Sequence, residues 1–220
     1  DRPPRSVRGT LHSYLSRLRN TLGGGIALQS GGYRLTVDET AVDMHRFRRL
    51  VHDARMADDE PALTLFDEAM ALWRGEPFTG LDTPWLASVR ATLERERSAA
   101  QQDYVDVALR CGRHAALLPT LVAYTSDQPL DERAAGQLML ALYRSGRQAD
   151  ALNHYQETRQ RLATELGTDP SPPLQQLHHQ ILTTDPTLTN PTSPFTPSTP
   201  APSATPTATG TSATPTRTSA

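Results

Sequence analysis

The chain has 220 residues, a hydrophobic content of 37% and a formal net charge of −2, which is length for one or two domains. Its single cysteine, Cys111, excludes an intrachain disulfide and speaks against a cysteine-based zinc site. No apolar run approaches 18 residues and no signal-peptide core is visible, so the expected location is cytoplasmic, with no membrane partner.

Charge is segregated along the chain. Residues 1–50 carry nine arginines against four acids, and residues 51–220 carry thirteen against twenty. Such a division suggests an anion-facing N-terminal segment joined to an acidic body. Every basic residue is arginine, a composition bias that makes arginine richness alone weak evidence for phosphate binding.

From Val7 to Leu22 the pattern is helical, with Leu11, Leu15, Leu18 and Leu22 on one stripe. Gly23-Gly24-Gly25 ends it. Tyr33, Leu35 and Val37 then alternate with polar residues after Gly31-Gly32, which predicts a β-hairpin over 26–37. Asp43 reads as the N-cap of a helix bearing Phe47, Leu50 and Val51. Pro61 suits the first turn of the next helix, which sets Leu63, Phe66, Ala69, Met70 and Trp73 on one side. Arg74-Gly75-Glu76-Pro77 breaks that helix, and Pro84 opens a long one to about residue 111. Glu94 to Arg97 predict a solvated charged face on it.

Gly112-Arg113-His114-Ala115 and Gly146-Arg147-Gln148-Ala149 lie 34 residues apart. That is the period of the tetratricopeptide repeat, a helical pair that buries its apolar face against neighbouring copies. Aligning the two pairs Leu117 with Ala151, Leu121 with Tyr155 and Tyr124 with Thr158. Pro129 falls where the repeat's closing proline belongs. A third copy is visible in Ala62, Phe66 and Ala69, set off by an insertion that holds Trp73 to Trp85. The helix from Gln148 ends at Gly167, with Pro170 close behind, and a last helix, 173–182, caps the stack. Residues 183–220 hold fourteen Thr and eight Pro with only two charged groups, Asp185 and Arg217. So little apolar surface predicts a disordered tail or linker.

No catalytic constellation emerges, and the expectation is a non-enzyme with no cofactor. His45 and His52 lack a third ligand at zinc-like spacing, and His178 and His179 point to different helix faces. Cys111 has no base near it in sequence and reads as a buried thiol. Gly23-Gly24-Gly25 lacks the Lys-Ser/Thr of a phosphate loop. Trp73, Phe78 and Trp85 read either as a plug on the first helix pair or as an exposed anchor for a partner.

The run Leu11-His12-Ser13-Tyr14-Leu15-Ser16-Arg17-Leu18-Arg19, with Gly32-Tyr33-Arg34-Leu35 after it, resembles the recognition helix and wing of an OmpR-type winged helix. Four further stretches resemble the bacterial transcriptional activation domain: 42–47, Leu72-Trp73-Arg74-Gly75, Leu138 through Ala149, and Glu165 through Pro170. The tandem is similar to the SARP family of antibiotic-pathway activators. The resemblance implies a mostly α fold, a tetratricopeptide-like stack preceded by a helix and β-hairpin remnant of a winged helix. Residues 1–40 would be the C-terminal part of the winged helix, 41–182 the activation domain and 183–220 the tail or a linker to a further domain.

It also implies a transcriptional activator that binds direct repeats in promoter DNA through residues 7–37, as a homodimer, and recruits RNA polymerase. Read physically, the face opposite the leucines presents Ser13, Ser16, Arg17 and Asn20, small polar groups plus one guanidinium suited to guanine in the major groove. Carried over from the family, His12, Ser13 and Arg17 match base-facing positions, and Thr10, Tyr14 and Arg19 phosphate-facing ones. The wing departs from the pattern, with Gln29 where many relatives carry arginine, and Arg34 is left as its phosphate contact. Only six residues precede Val7, so the elements that should cover Leu11, Leu15 and Leu18 are missing from this sequence. The expectation is that residues 1–220 alone bind DNA poorly. The competing class is a protein-interaction scaffold without autonomous DNA binding.

Overall fold

The computed structural model describes residues 7–23, 25–30 and 32–189. Helix α1 spans Val7–Thr21 and is followed by Gly23 at φ +66°, a left-handed conformation that suits glycine. Strands β1 (Ile26–Gln29) and β2 (Gly32–Leu35) form an antiparallel hairpin in which Ile26 faces Leu35 and Leu28 faces Tyr33. Of the leucine stripe on α1, only Leu15 is buried; Leu11, Leu18 and Leu22 remain about half exposed.

A 3₁₀ turn, Glu39–Ala41, leads into the helical body. Asp38 starts it by accepting from the Thr40 amide at 2.8 Å and the Thr40 hydroxyl at 2.6 Å. Helix α2 covers Asp43–Met56, and its N-cap is Val42, not Asp43. Val42 leaves the 3₁₀ turn in extended conformation, so the helix starts one residue later than capping chemistry suggests. Asp43 instead accepts from the Met44 amide and places its charge in the first turn, where the helix dipole favours it.

Helix α3 (Asp59–Ala71) has Pro61 in its first turn and buries Ala62, Leu63, Phe66 and Ala69. Helix α4 (Pro84–Arg110) starts at Thr83, whose Oγ1 accepts from the Leu86 amide. Then come α5 (His114–Asp127), α6 (Glu132–Arg144, N-capped by Asp131), α7 (Gln148–Glu165) and α8 (Pro172–Leu182). The pairs α2/α3, α4/α5 and α6/α7 stack in order, and α8 closes the stack against α6 and α7.

The two Gly-Arg tetrapeptides build the same turn twice. Gly112 and Gly146 have φ +73° and +76°. Arg113 N donates to Ala108 O at 2.8 Å, and Arg147 N to Leu142 O at 2.9 Å. These are six-to-one bonds that close a helix end once a glycine turns left-handed. Behind each turn the aligned residues go inward: Leu117 and Ala151, then Leu121 and Tyr155, are buried. The third pair is uneven, since Thr158 is buried while Tyr124 is half-buried and Thr125 beside it takes the inward place. Helix α6 lies at the centre, with every residue from Ala134 to Tyr143 buried.

Polar seams run along the first helices of the three pairs. Arg48 and Arg55 of α2 meet Glu96 and Asp103 of α4 at 2.8 and 2.6 Å, the equal spacing of a parallel pair. On the other flank, Arg133 of α6 bridges Asp103 and Asp106, and Gln137 donates to Asp106 Oδ1 and to Gln102 O. Glu94 to Arg97 are therefore not simply a solvated face: Glu96 ties α4 to α2, and Arg97 lies 5.0 Å over the Trp73 ring.

The expectation of a structureless tail from residue 183 fails at its start. Residues Pro186–Thr189 form a second 3₁₀ turn, and Leu188 is buried against the stack. Arg144 holds this turn, donating Nε to Leu188 O at 2.8 Å and Nη1 to Leu109 O at 2.7 Å. One leucine and a buried guanidinium on α6 outweigh the polar composition around them. The expectation for 190–220 lies outside the described residues.

Candidate nucleic-acid interface

The hairpin folds back on α1 and sorts the predicted contact residues into two groups. Arg19 Nε donates to Ile26 O at 2.9 Å, and its guanidinium carbon lies 6.0 Å from the centre of the Tyr33 ring. Tyr33 Oη stands 3.4 Å from His12 Nδ1, the two rings edge to face. His12, Leu15 and Arg19 recur at intervals of three and four residues, so they share the helix face that meets the hairpin. Arg19 thus works partly as a brace between helix and hairpin, a use that spacing alone did not reveal.

Rotated away from that face are Thr10, Ser13, Ser16, Arg17 and Asn20, all exposed. Tyr14 is exposed on the far side of the helix. Arg34 is exposed too, but it alternates with Tyr33 along β2 and so stands on the hairpin face turned away from α1. The structure therefore brings Ser13, Arg17 and Asn20 onto one open surface and leaves Arg34 apart from it. The lysine-free polar strip is small, and Arg17 is its only cation.

Elsewhere the weighed residues separate. Trp73 is half-buried, edge-on to Phe47 at 5.4 Å, so it seals the first helix pair, while Trp85 is 71% exposed. Cys111 is half-buried, and burial followed by the nearby Glu60 and Asp59 carboxylates pushes its thiol pKa up, away from a reactive thiolate. His178 stacks flat on Tyr155 at 3.8 Å between ring centres, and burial lowers its pKa. Among the described residues no three His, Cys, Asp or Glu side chains converge in a way that could hold a metal ion. No described helix is long and apolar enough to cross a membrane.

Comparison with known proteins fits this geometry. The profile of the bacterial transcriptional activator domain matches residues 42–182, from the N-cap of α2 to the last residue of α8. The chain belongs to this family. Regulatory protein AfsR of Streptomyces griseus is 39% identical over 194 residues, which cover 86% of this chain and 20% of that protein. Regulatory protein DnrI of Streptomyces peucetius is 35% identical over 201 residues, 84% of this chain and 74% of that one. A solved structure, Mycobacterium tuberculosis EmbR in complex with a low-affinity phosphopeptide, superimposes with a TM-score of 0.74 at 33% identity. It matches 84% of this chain and 52% of that one. As a member of the family the chain is a SARP-type regulator, and it spans about a fifth of the length of AfsR and about half that of EmbR.

Proposed function

We propose that this chain is the promoter-reading and activating part of a transcriptional activator. Residues of α1 enter the major groove of direct-repeat DNA, and the helical stack contacts RNA polymerase. The open strip of Ser13, Arg17 and Asn20, braced from behind by the Arg19 and Tyr33 contacts, is the observation that carries it. Arg17 is exposed and placed to grip a guanine edge with two donors. Thr10, Ser16 and Tyr14 flank it as phosphate and sugar contacts, and His12 reaches a base edge beside Tyr33. Arg34 serves a phosphate on the wing side, and Arg19 adds charge at the junction. The relatives' names as regulatory proteins support the assignment.

Selection from a randomised duplex library at low salt, where phosphate contacts are strongest, tests it. Enrichment of a directly repeated motif, bound by two copies of the chain, is the expected result. Addition of bacterial RNA polymerase should then retard the complex further in a gel shift. Recovery of no motif would sink the DNA-reading half, and no supershift the polymerase half.

A scaffold role without autonomous DNA binding is the alternative, favoured by one observation. Leu11, Leu18 and Leu22 are 46%, 48% and 48% exposed, so α1 lacks the apolar support that would hold it rigid. Ordering a loosely held helix on DNA costs affinity. Residues 1–220 alone are therefore expected to bind weakly at physiological salt; sequence-specific nanomolar binding there would dispose of the scaffold.

A further inference from the structure

Two features that neither DNA reading nor helix stacking uses lie at opposite ends of α4. Near its start is a groove of about 420 Å³ lined by Phe47, Leu72, Trp73, Pro77, Phe78 and Leu93. The loop that closes this groove is fixed. Arg90 donates Nε to Pro77 O at 3.0 Å and Nη2 to Leu81 O at 3.3 Å, and it pairs with Glu76 at 3.0 Å. Phe78 is held at φ +57°, which a bulky side chain avoids unless its surroundings dictate it, and such positions cluster at binding sites. The loop presents Phe78, Leu81 and Trp85 at 38%, 56% and 71% exposure, an aromatic surface with no use inside the fold.

At the other end the described chain stops at Thr189, beside Gly112 and Gly146. The next residues read Asn190-Pro191-Thr192-Ser193-Pro194-Phe195-Thr196-Pro197-Ser198-Thr199-Pro200. Prolines therefore recur at every third position from 191 to 200. Three residues is one turn of a polyproline II helix, so in that conformation these prolines would form one continuous ridge. Such ridges dock in aromatic-lined grooves, because a pre-extended segment has little conformational entropy left to lose.

We propose that Pro191–Pro200 of the same chain docks by its proline ridge into the Trp73–Phe78 groove, flanked by Trp85. The lengths agree. Polyproline II rises about 3.1 Å per residue, so the ridge spans about 28 Å. Helix α4 rises about 1.5 Å per residue, so Leu93 and Gly112 are also about 28 Å apart along its axis. The far prolines reach the groove, and the residues after Pro200 supply slack. Arg217 is the only charged residue in 190–220, so the docked segment carries no charge into the aromatic site. A short tether holds the segment at roughly millimolar effective concentration, enough to populate a contact too weak to form between separate molecules at micromolar concentration.

The protein's own tryptophans report on the groove, because Trp73 and Trp85 are the only two in the chain. Acrylamide quenching is measured on the full chain and on a triple variant carrying Pro194→Ala, Pro197→Ala and Pro200→Ala. The variant should show at least a twofold higher quenching constant, with the same far-ultraviolet circular dichroism and no dependence on protein concentration. Equal constants would overturn the proposal. A constant that changes with concentration would place the segment on a second copy and overturn intramolecular docking. A synthetic peptide of residues 190–202 should shift the emission of the triple variant at a tenfold lower concentration than that of the wild type, whose groove is already filled. Equal affinity for both proteins, or binding to neither, would also overturn it. Trp85→Phe, at an exposed position, leaves Trp73 as sole reporter and should preserve the difference.

Discussion

Replacing Leu188 by alanine asks whether residues 183–189 belong to the fold. Leu188 is 6% exposed and joins the main apolar cluster with Ile181 and Tyr143. Its carbonyl accepts from Arg144 Nε, and that bond involves only backbone on the Leu188 side, so the substitution leaves it in place. What disappears is apolar burial and the filling of space. Core Leu→Ala changes cost roughly 2–5 kcal/mol, least where the site can collapse. Here Thr184 and Thr189 line an adjoining groove of about 400 Å³, so the surroundings can close in and the low end applies, about 2 kcal/mol. For a chain of this size each kcal/mol lowers the melting temperature by about 2–4 °C, which gives a fall of about 4–8 °C. Thermal and urea unfolding followed by circular dichroism measure both quantities. Leu182→Ala is the control: at 53% exposure it should change stability by less than about 0.5 kcal/mol. If Leu188→Ala proved as stable as the wild type while the control behaved as stated, the segment would be a loose end and its place in the core would be wrong.

Gly112→Ala and Gly146→Ala should each cost about 1 kcal/mol in urea unfolding, because a Cβ there meets open space and only the left-handed backbone is strained. Unequal losses would show that the two turns are not equivalent. Burial raises the Asp106 carboxyl pKa above its ordinary 3.8, against the opposing pull of Arg133 and Gln137. The native state thus holds that proton more tightly than the unfolded chain, so this stabilisation is full below 3.8 and is lost as pH rises through the native value. The stability of the wild type relative to Asp106→Asn should accordingly decline as pH is stepped upward from there; a rising difference would mean that Arg133 outweighs burial. Arg17→Ala should cost about 1–3 kcal/mol on the selected DNA and relax preference at one base. Equal loss on random DNA would make Arg17 a phosphate contact. Arg19→Met, which keeps the stem but not the donor to Ile26 O, should speed amide exchange in β1; unchanged exchange would remove Arg19 as the brace.

Local pattern made most of the helices legible, because a helix is stabilised by neighbours three and four residues away and these are adjacent in sequence too. The Phe66 and Leu63 face, the helix opened by Pro84 and the two Gly-Arg turns could all be read from the chain. The equivalence of Gly112 and Gly146 followed from their shared need for a left-handed residue. On the candidate interface, the exposure of Ser13, Arg17 and Asn20 followed from the leucine stripe opposite them, although that stripe is itself only covered at Leu15.

Stacking decided what spacing could not. Arg133 reaches Asp103 and Asp106 across about thirty residues, and Arg144 reaches Leu188 across more than forty. No periodicity encodes such partners; they depend on how parallel helices are set side by side. The same holds for Trp73, half-buried against Phe47, and Trp85, exposed a dozen residues later. The fold back of the hairpin turned Arg19 and His12 inward from positions that one helix alone would leave in water. By itself the sequence determined which segments are helical, where they turn and the family they belong to, because those follow from near-neighbour chemistry. Tertiary structure alone decided which arginines join helices, which aromatic residues stay open and where the ordered chain ends, because these depend on burial between segments far apart in the chain.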